Sequence, residues 1–499
     1  MDLQTLNVYL LLPFALGIIL IAKAIKTNVS KLPPGPWRIL VIGNLHQLGA
    51  KPHQSLAKLA QTHGPIMSLK LGQVTTIIIS SAPAAKQVMQ KQDHLFANRA
   101  DVPDSLTDCN HAESVIWLPL SSRWRELRKI MSCQIFNIQK MEAGASLRQQ
   151  KVEELLDEVR TSCALGKGGV MIGEAAFKAS LNLLSTTIVS MNFDSESARD
   201  FMKSFRRVME LGGTPNMVDY FPWLRRFDPQ GLRAQMEIPF GKMLAFLNSV
   251  IGEKLSQREE QAASGYGNRD VLDNLIDISE TNKEINGDVI RHLLVGIFIA
   301  GTDTTSSTVE WTMSEMLKNP DIMSKAKAEL KQTIGRGNPI QEADIARLPY
   351  LQAIIKETLR VHPPAPLLLP RKTLEEVELW GHRIPKGAQV VINAWAISRD
   401  PSTWDDPQCF KPDRFLDSNH IIIDFRGANF ELIPFGAGRR ICPGLTLAFK
   451  MVHLMVGSLI NCFDWEIEGN AKLEDIDMDD KFGITLQKAQ PLCAVPLPV

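Results

Sequence analysis

Three features of this 499-residue chain predict a mainly helical fold with a small β region, preceded by one N-terminal transmembrane helix. Residues Leu6–Ala22, LNVYLLLPFALGIILIA, carry no charge, and an apolar run of about 17–20 residues suffices to span a bilayer as a helix. Long stretches with helical periodicity dominate the remainder, at Leu147–Val159, Asp288–Leu317 and Leu445–Ile460. Strand signals are confined mainly to Ile66–Ser81 and Val377–Trp395.

Taken in order, residues 1–30 read as a membrane anchor and linker, and residues 31–499 as one catalytic unit. Lys23, Lys26 and Lys31 follow the apolar run, whereas only Asp2 precedes it. The positive-inside bias therefore leaves the bulk of the chain cytosolic. A cleaved secretory signal is the rival reading, with Ala22–Ala24 as a small-x-small site, but such a signal wants its positive charge before the apolar run. The Asn28-Val29-Ser30 sequon would favour the lumen if used. Pro33, Pro34 and Pro36 cannot sustain a helix, so this segment is either a plain linker or a stiff hinge at the membrane. Ile66–Ser81 is rich in β-branched residues around a central Gly and predicts a hairpin, and Val377–Trp395 predicts another. Ala262–Asn268, AASGYGN, predicts a loop tip between helices.

Lys+Arg and Asp+Glu both number 55, so no global basicity points to nucleic acid. The seven cysteines are scattered, with no CxxC pair, which disfavours a disulfide framework or a zinc finger. One of them, Cys442, stands apart in PFGAGRRICPG, Pro434–Gly444. A lone thiolate suits an iron porphyrin better than zinc, because the porphyrin supplies four nitrogens and needs one further ligand from the protein. Gly436, Gly438 and Gly444 allow turns that bring N–H groups toward sulfur. Pro443 suits the first position of a helix, which would set Cys442 at a helix N-terminus that lowers its thiol pKa. Arg440 can reach a haem propionate, and Phe435 can shield the sulfur. A buried cysteine in a glycine-rich turn is the plainer reading, and it leaves the two arginines unexplained.

FGAGRRICPG, Phe435–Gly444, resembles the haem-binding signature of the cytochrome P450 superfamily, and three further motifs follow its order and spacing. The resemblance implies the cytochrome P450 fold and haem b with Cys442 as the axial thiolate. KETLR and FKPDRF place Glu357, Arg360 and Arg414 where the family holds a buried Glu–Arg–Arg cluster of structural role. Alone, Glu357 and Arg360 would read as a surface ion pair. AGTDTTSSTVEW matches the family's acid–alcohol pair at Asp303 and Thr304, which manage proton delivery; alone, it would read as a small-residue packing patch. WRELRK puts Trp124 and Arg128 on one helix face, and LLLPRK supplies Arg371; in the family such residues bind haem propionates. A solvated basic face is the alternative, and Arg123, Lys129 and Lys450 could form a positive surface for an acidic flavoprotein.

The resemblance covers the chain from about Lys31 onward. NMVDYFPWLRRFDPQGL, LPYLQAIIKETLRVHPPAPLLLPRK and MDDKFGITLQKAQPL resemble the plant microsomal branch that contains geraniol 8-hydroxylase, to which diterpene oxidases and a tyrosine-hydroxylating pigment enzyme are also similar. This implies a single-pass protein of the endoplasmic reticulum membrane that takes electrons from NADPH through a separate reductase. No GxGxxG after a strand offers a dinucleotide site of its own. By the same resemblance the substrate pocket includes Ile297, Phe298, Ala300, Leu367, Leu368, Phe482 and Ile484, each of which could equally be ordinary core. Their apolar character predicts a hydrophobic metabolite, a monoterpenol or diterpene, hydroxylated with O2. Asp104, Asp108, Asn110 and His111 could bond a hydroxyl or amine, which keeps phenolic and alkaloid substrates open. A haem-thiolate lyase or isomerase acting without reductase is the alternative of a different class, and Asp303-Thr304 argues against it. A gas-binding haem protein is a third.

Overall fold

The computed structural model describes residues 32–107, 109, 114–164, 168–192, 196–264, 270–282, 284–416, 423–470 and 475–499. The expected anchor at Leu6–Ala22 lies outside them, as do Asp108, Asn110 and His111.

Helix α1 (Pro52–His63) leads into strands β1 (Ile66–Leu71) and β2 (Val74–Ile79), a hairpin turned at Gly72 with φ +55. Its sides alternate between two cores: Ile66, Ile77 and Ile79 face one, while Met67, Leu69 and Ile78 face the other. Burial on both faces explains the unbroken run of isoleucines. Strand β3 (Asn98–Arg99) and helices α2 (Ser122–Ile130) and α3 (Ala145–Ala164) follow, then strand β4 (Val170–Met171). Helices α4 (Ile172–Val189), α5 (Glu196–Gly213) and α6 (Leu232–Ser264) come next. The helix α6 continues through Ser264, into the stretch expected to be a loop tip.

Helix α7 (Gly287–Lys318) is the axis of the molecule. Asn286 caps it by accepting from the Val289 amide at 3.1 Å, and most of its length is buried. It packs along α4 and against α9 (Leu445–Cys462), with α8 (Pro349–Val361) alongside. The apolar sequence of α9 reflects the core: Met451–Cys462 is buried throughout, although the helix is long enough to cross a bilayer.

The second strand region departs from a simple hairpin. Strands β6 (Val377–Leu379) and β7 (His382–Ile384) pair around Trp380 and Gly381, whose φ values of 50 and 78 make the turn that strand twist favours. Strand β8 (Gln389–Ile392) instead joins β2 in parallel, and β5 (Arg371–Lys372) continues the sheet in the order β1-β2-β8-β5-β3. Long-range pairing of this kind leaves no local pattern. At the C-terminus, β9 (Phe463–Ile467) and β12 (Cys493–Pro498) form a sheet with β4, and β10 (Asp480–Lys481) and β11 (Gln487–Lys488) form a hairpin whose β11 lies against α7.

Candidate active site

The loop before α9 turns twice in left-handed backbone, at Gly436 and Gly438, each with φ +69. At Gly438 a Cβ would fall 2.0 Å from the Met89 carbonyl oxygen, so only glycine fits. The Cys442 amide donates to the Phe435 carbonyl at 3.0 Å, and the Gly444 and Leu445 amides bond the sulfur. Helix α9 starts at Leu445 with Gly444 as its N-cap, so Pro443 precedes the cap and is not the first helical residue. The expected fall in thiol pKa meets an opposing effect. Burial pushes the Cys442 thiol up, and the two amides and Arg128 only partly offset it. Such a sulfur becomes a stable thiolate when a cation binds it, as a metal would.

Around the same cavity stand four guanidinium groups, from Arg99, Arg128, Arg371 and Arg440. Arg440 donates to the carbonyls of Ala97 at 2.9 Å and Leu118 at 2.6 Å, and lies over the Trp124 ring at 4.4 Å. Arg371 donates to Asp93 at 2.9 Å. Arg128 donates to the Ile441 carbonyl beside Cys442. Burial, then repulsion from Arg371, Arg440 and Arg128, holds Arg99 well below its usual range. Burial, then Arg371 and Arg128, brings Arg440 down to about 10. Asp93 is the carboxylate that faces this group among the described residues, and it also accepts from exposed Arg439. Four crowded cations with one counter-ion lack negative charge, and the two carboxylates of a haem would supply it. The residues present fit that cofactor.

The cavity measures about 320 Å³ and extends from Cys442, Phe435 and Trp124 to the face of α7 bearing Ile297, Ala300 and Thr304. Leu368 also lines it, in a left-handed conformation with φ +47 that a leucine rarely adopts. Four of the residues expected in the pocket lie elsewhere. Phe298, about 100° round the helix from Ile297, packs edge-on against Phe201 at 6.1 Å. Leu367 joins the core around Leu56 and Met67. Phe482 stacks on His53 at 5.6 Å, and Ile484 is 39% exposed beside Gly212. Asp104 is also away from the cavity: its carboxylate pairs with Arg225 at 2.9 Å, and its amide donates to Asp219 at 2.7 Å.

Asp303 and Thr304 diverge. Thr304 lines the cavity, its hydroxyl donating back to the Ala300 carbonyl at 2.7 Å. The buried Asp303 carboxylate points to the C-terminal segment, where Oδ1 accepts from Gln487 at 2.9 Å. Burial raises its pKa, and bonds from Thr485 and Gln487 oppose the rise. The structure brings Glu357, Arg360 and Arg414 together. Arg360 grips both oxygens of Glu357 at 2.7 Å, and Arg414 reaches it at 3.1 Å. Arg360 also donates to the Ser398, Pro407 and Cys409 carbonyls, which pins the loop that leads to the cysteine. Arg99, Asp93 and Gln487 were not singled out by the sequence. Arg99 meets Arg371 only through the β3–β5 pairing, which carries no sequence signature.

A cytochrome P450 family model matches residues 33–493. The chain belongs to the cytochrome P450 family. This P450 is 51% identical to geraniol 8-hydroxylase of Catharanthus roseus over 98% of its own length and 99% of that protein. It is 50% identical to 7-ethoxycoumarin O-deethylase of Helianthus tuberosus, covering 94% of this chain and 95% of the relative. A zebra fish cytochrome P450, solved with abiraterone, shares the fold with a TM-score of 0.74 at 23% identity, over 90% of this chain and 100% of that one. As a cytochrome P450 monooxygenase the protein is an oxidoreductase that uses haem bound through a cysteine thiolate, a redox partner, a substrate and O2.

Proposed function

We propose that this P450 hydroxylates a terpenoid, a monoterpenol such as geraniol or a diterpene, using electrons passed from NADPH by a separate reductase. The observation that carries the reading is the cavity between Cys442 and α7, apolar at Ile297, Ala300 and Leu368 and cationic only at the arginine end. An apolar metabolite with few polar anchors suits the first end, and the carboxylates of haem suit the second. The 51% identity to a geraniol 8-hydroxylase supports the substrate class.

In this reading Cys442 would hold the haem iron through its sulfur, screened by Phe435, with the Gly444 and Leu445 amides stabilising the sulfur charge. Trp124, Arg99, Arg128, Arg371 and Arg440, which line that end of the cavity, would hold the propionates. The bound haem supplies the activation of O2 for insertion into a C–H bond. Thr304 presents a hydroxyl to the cavity, and Asp303, next to it in α7, would handle protons at its carboxylate on the side of the C-terminal segment. Ala300 keeps the helix face low, and Leu368 closes the opposite wall.

Attachment to the endoplasmic reticulum membrane, with the catalytic part cytosolic, is supported by the Leu6–Ala22 run and by exposed apolar residues in two neighbouring segments. Trp37, Leu40 and Val41 are each more than 70% exposed, and Trp223 and Phe227 more than 60%. The β1–β2 turn ties these segments together, since Gly72 donates to Ile42 and Gln73 to Tyr220. A large exposed apolar patch marks a contact surface.

A second reading, oxidation of a phenolic ether, is favoured by the 7-ethoxycoumarin relative. Reconstitution with reductase, NADPH and either geraniol or 7-ethoxycoumarin separates the two. Hydroxylated geraniol is the expected product. Turnover of 7-ethoxycoumarin alone would favour the second reading, and conversion without NADPH would point to a lyase or isomerase.

A further inference from the structure

Four side chains on one face of α7, at Asp303, Ser307, Glu310 and Trp311, all bond the C-terminal segment. Gln487 Nε2 donates to Asp303 Oδ1 at 2.9 Å, and Ser307 Oγ donates to the Leu486 carbonyl at 2.8 Å. Trp311 Nε1 reaches the same carbonyl at 3.3 Å, and the Leu492 amide donates to Glu310 at 2.8 Å. From the other side the Leu486 amide donates at 2.8 Å to the carbonyl of Pro364, which lines the cavity. The segment is therefore fixed on both flanks of Leu486, itself fully buried. Gln487 is exposed, and Asp303, one bond beneath it, is 5% exposed. Asp303 Oδ2 is buried and has no hydrogen-bond partner.

We infer that Gln487 is the positioning residue of Asp303, holding one carboxylate oxygen on the β11 segment so that the acid exchanges protons with solvent there. A carboxylate held at Oδ1 by Gln487 is turned toward the C-terminal segment and away from the cavity face that bears Thr304. An amide donor suits this task because it bonds the carboxylate without competing for the proton. The charged groups around Asp303 are Arg206 of α5, ion-paired with Glu174 of α4 at 2.9 Å, Glu310 on its own helix, and Lys488 beside Gln487. None of them bonds Asp303 in the described residues; its carboxylate is held by Thr485 and Gln487 of the C-terminal segment, and of these two Gln487 is the exposed one. The inference rests on the reading of Asp303 as the proton-handling acid.

The test is a pH titration of the haem-loaded, full-length protein by infrared difference spectroscopy. The protonated-carboxyl band that disappears in Asp303→Asn identifies the group. Gln487→Leu removes the donor and is expected to move that titration upward by about one pH unit. Gln487→Lys keeps a donor, adds positive charge and is expected to move it downward. The peroxide formed per NADPH should rise several-fold in Gln487→Leu and stay near the wild-type value in Gln487→Lys. A band that stays in place in both variants would overturn the inference, even if thermal stability fell, because a purely structural role would lower stability without moving the titration. If instead Asp303→Asn leaves the peroxide share unchanged, the role of Asp303 itself fails, whatever the titrations of the Gln487 variants.

Discussion

Gly438 and Cys442 stand four residues apart and illustrate different degrees of residue-level constraint. At Gly438 the constraint is geometric, with left-handed backbone and no room for a Cβ beside Met89. Gly438→Ala should therefore cost at least about 2–3 kcal/mol and reduce haem retention, measured as the Soret-to-protein absorbance ratio after purification. At Cys442 the constraint is electrostatic, and only part of it could be read in advance. The motif marked the thiol, its glycines and Arg440. The net upward push of burial depends on how α2 and α7 close over the loop. The Glu357–Arg360–Arg414 cluster was legible because all three residues fall in short recognisable motifs. Arg99 was not, since its partner Arg371 is 272 positions away and reached only through a two-residue strand.

At the scale of elements, α7 was legible nearly to its ends, because a long stretch of helical periodicity with small residues has few alternatives. Which neighbour each face would meet was not. Ile297 faces the cavity and Phe298 the α5 side, a division set by packing against Phe201. Thr304→Ala removes a hydroxyl whose bond goes back to the Ala300 carbonyl, so the helix should persist. The expected result is an unchanged haem spectrum with a larger share of NADPH diverted to peroxide. Unchanged coupling would remove Thr304 from proton delivery. A second element-level contact lies between the Asp104 turn and the segment preceding α6, where Asp219 accepts from the Asp104 amide. Burial, with the Asp104 charge adding to it, pushes Asp219 from 3.8 up to about 6. The folded state therefore keeps a proton that the unfolded chain releases, and this contribution to stability is full below about pH 4 and lost as pH rises through 6. Asp219→Asn keeps the accepting oxygen and removes the charge. After allowance for partial exposure it should stabilise by roughly 1–2 kcal/mol at pH 7.5 and by little at pH 4, read from thermal unfolding at the two values.

At the scale of the molecule, the arrangement places an apolar cavity between an anion-seeking arginine cluster and a central helix. The exposed patch of Trp37, Leu40, Val41, Trp223 and Phe227 lies to one side. The overall class was legible because the cysteine loop and the motifs upstream of it occur in one order. The sheet was less so: β8 pairs with β2 across more than three hundred residues, and the cavity walls at Leu368 and Ile116 likewise come from segments far apart in the chain. The central claim is that Cys442 is the thiolate ligand of a haem held by the arginine cluster. Its most direct test is the difference spectrum of the reduced, carbon-monoxide-bound protein, compared between wild type and Cys442→Ser. The account predicts a thiolate-type Soret band in the wild type and its loss in the variant. Retention of that band in correctly folded Cys442→Ser would contradict it.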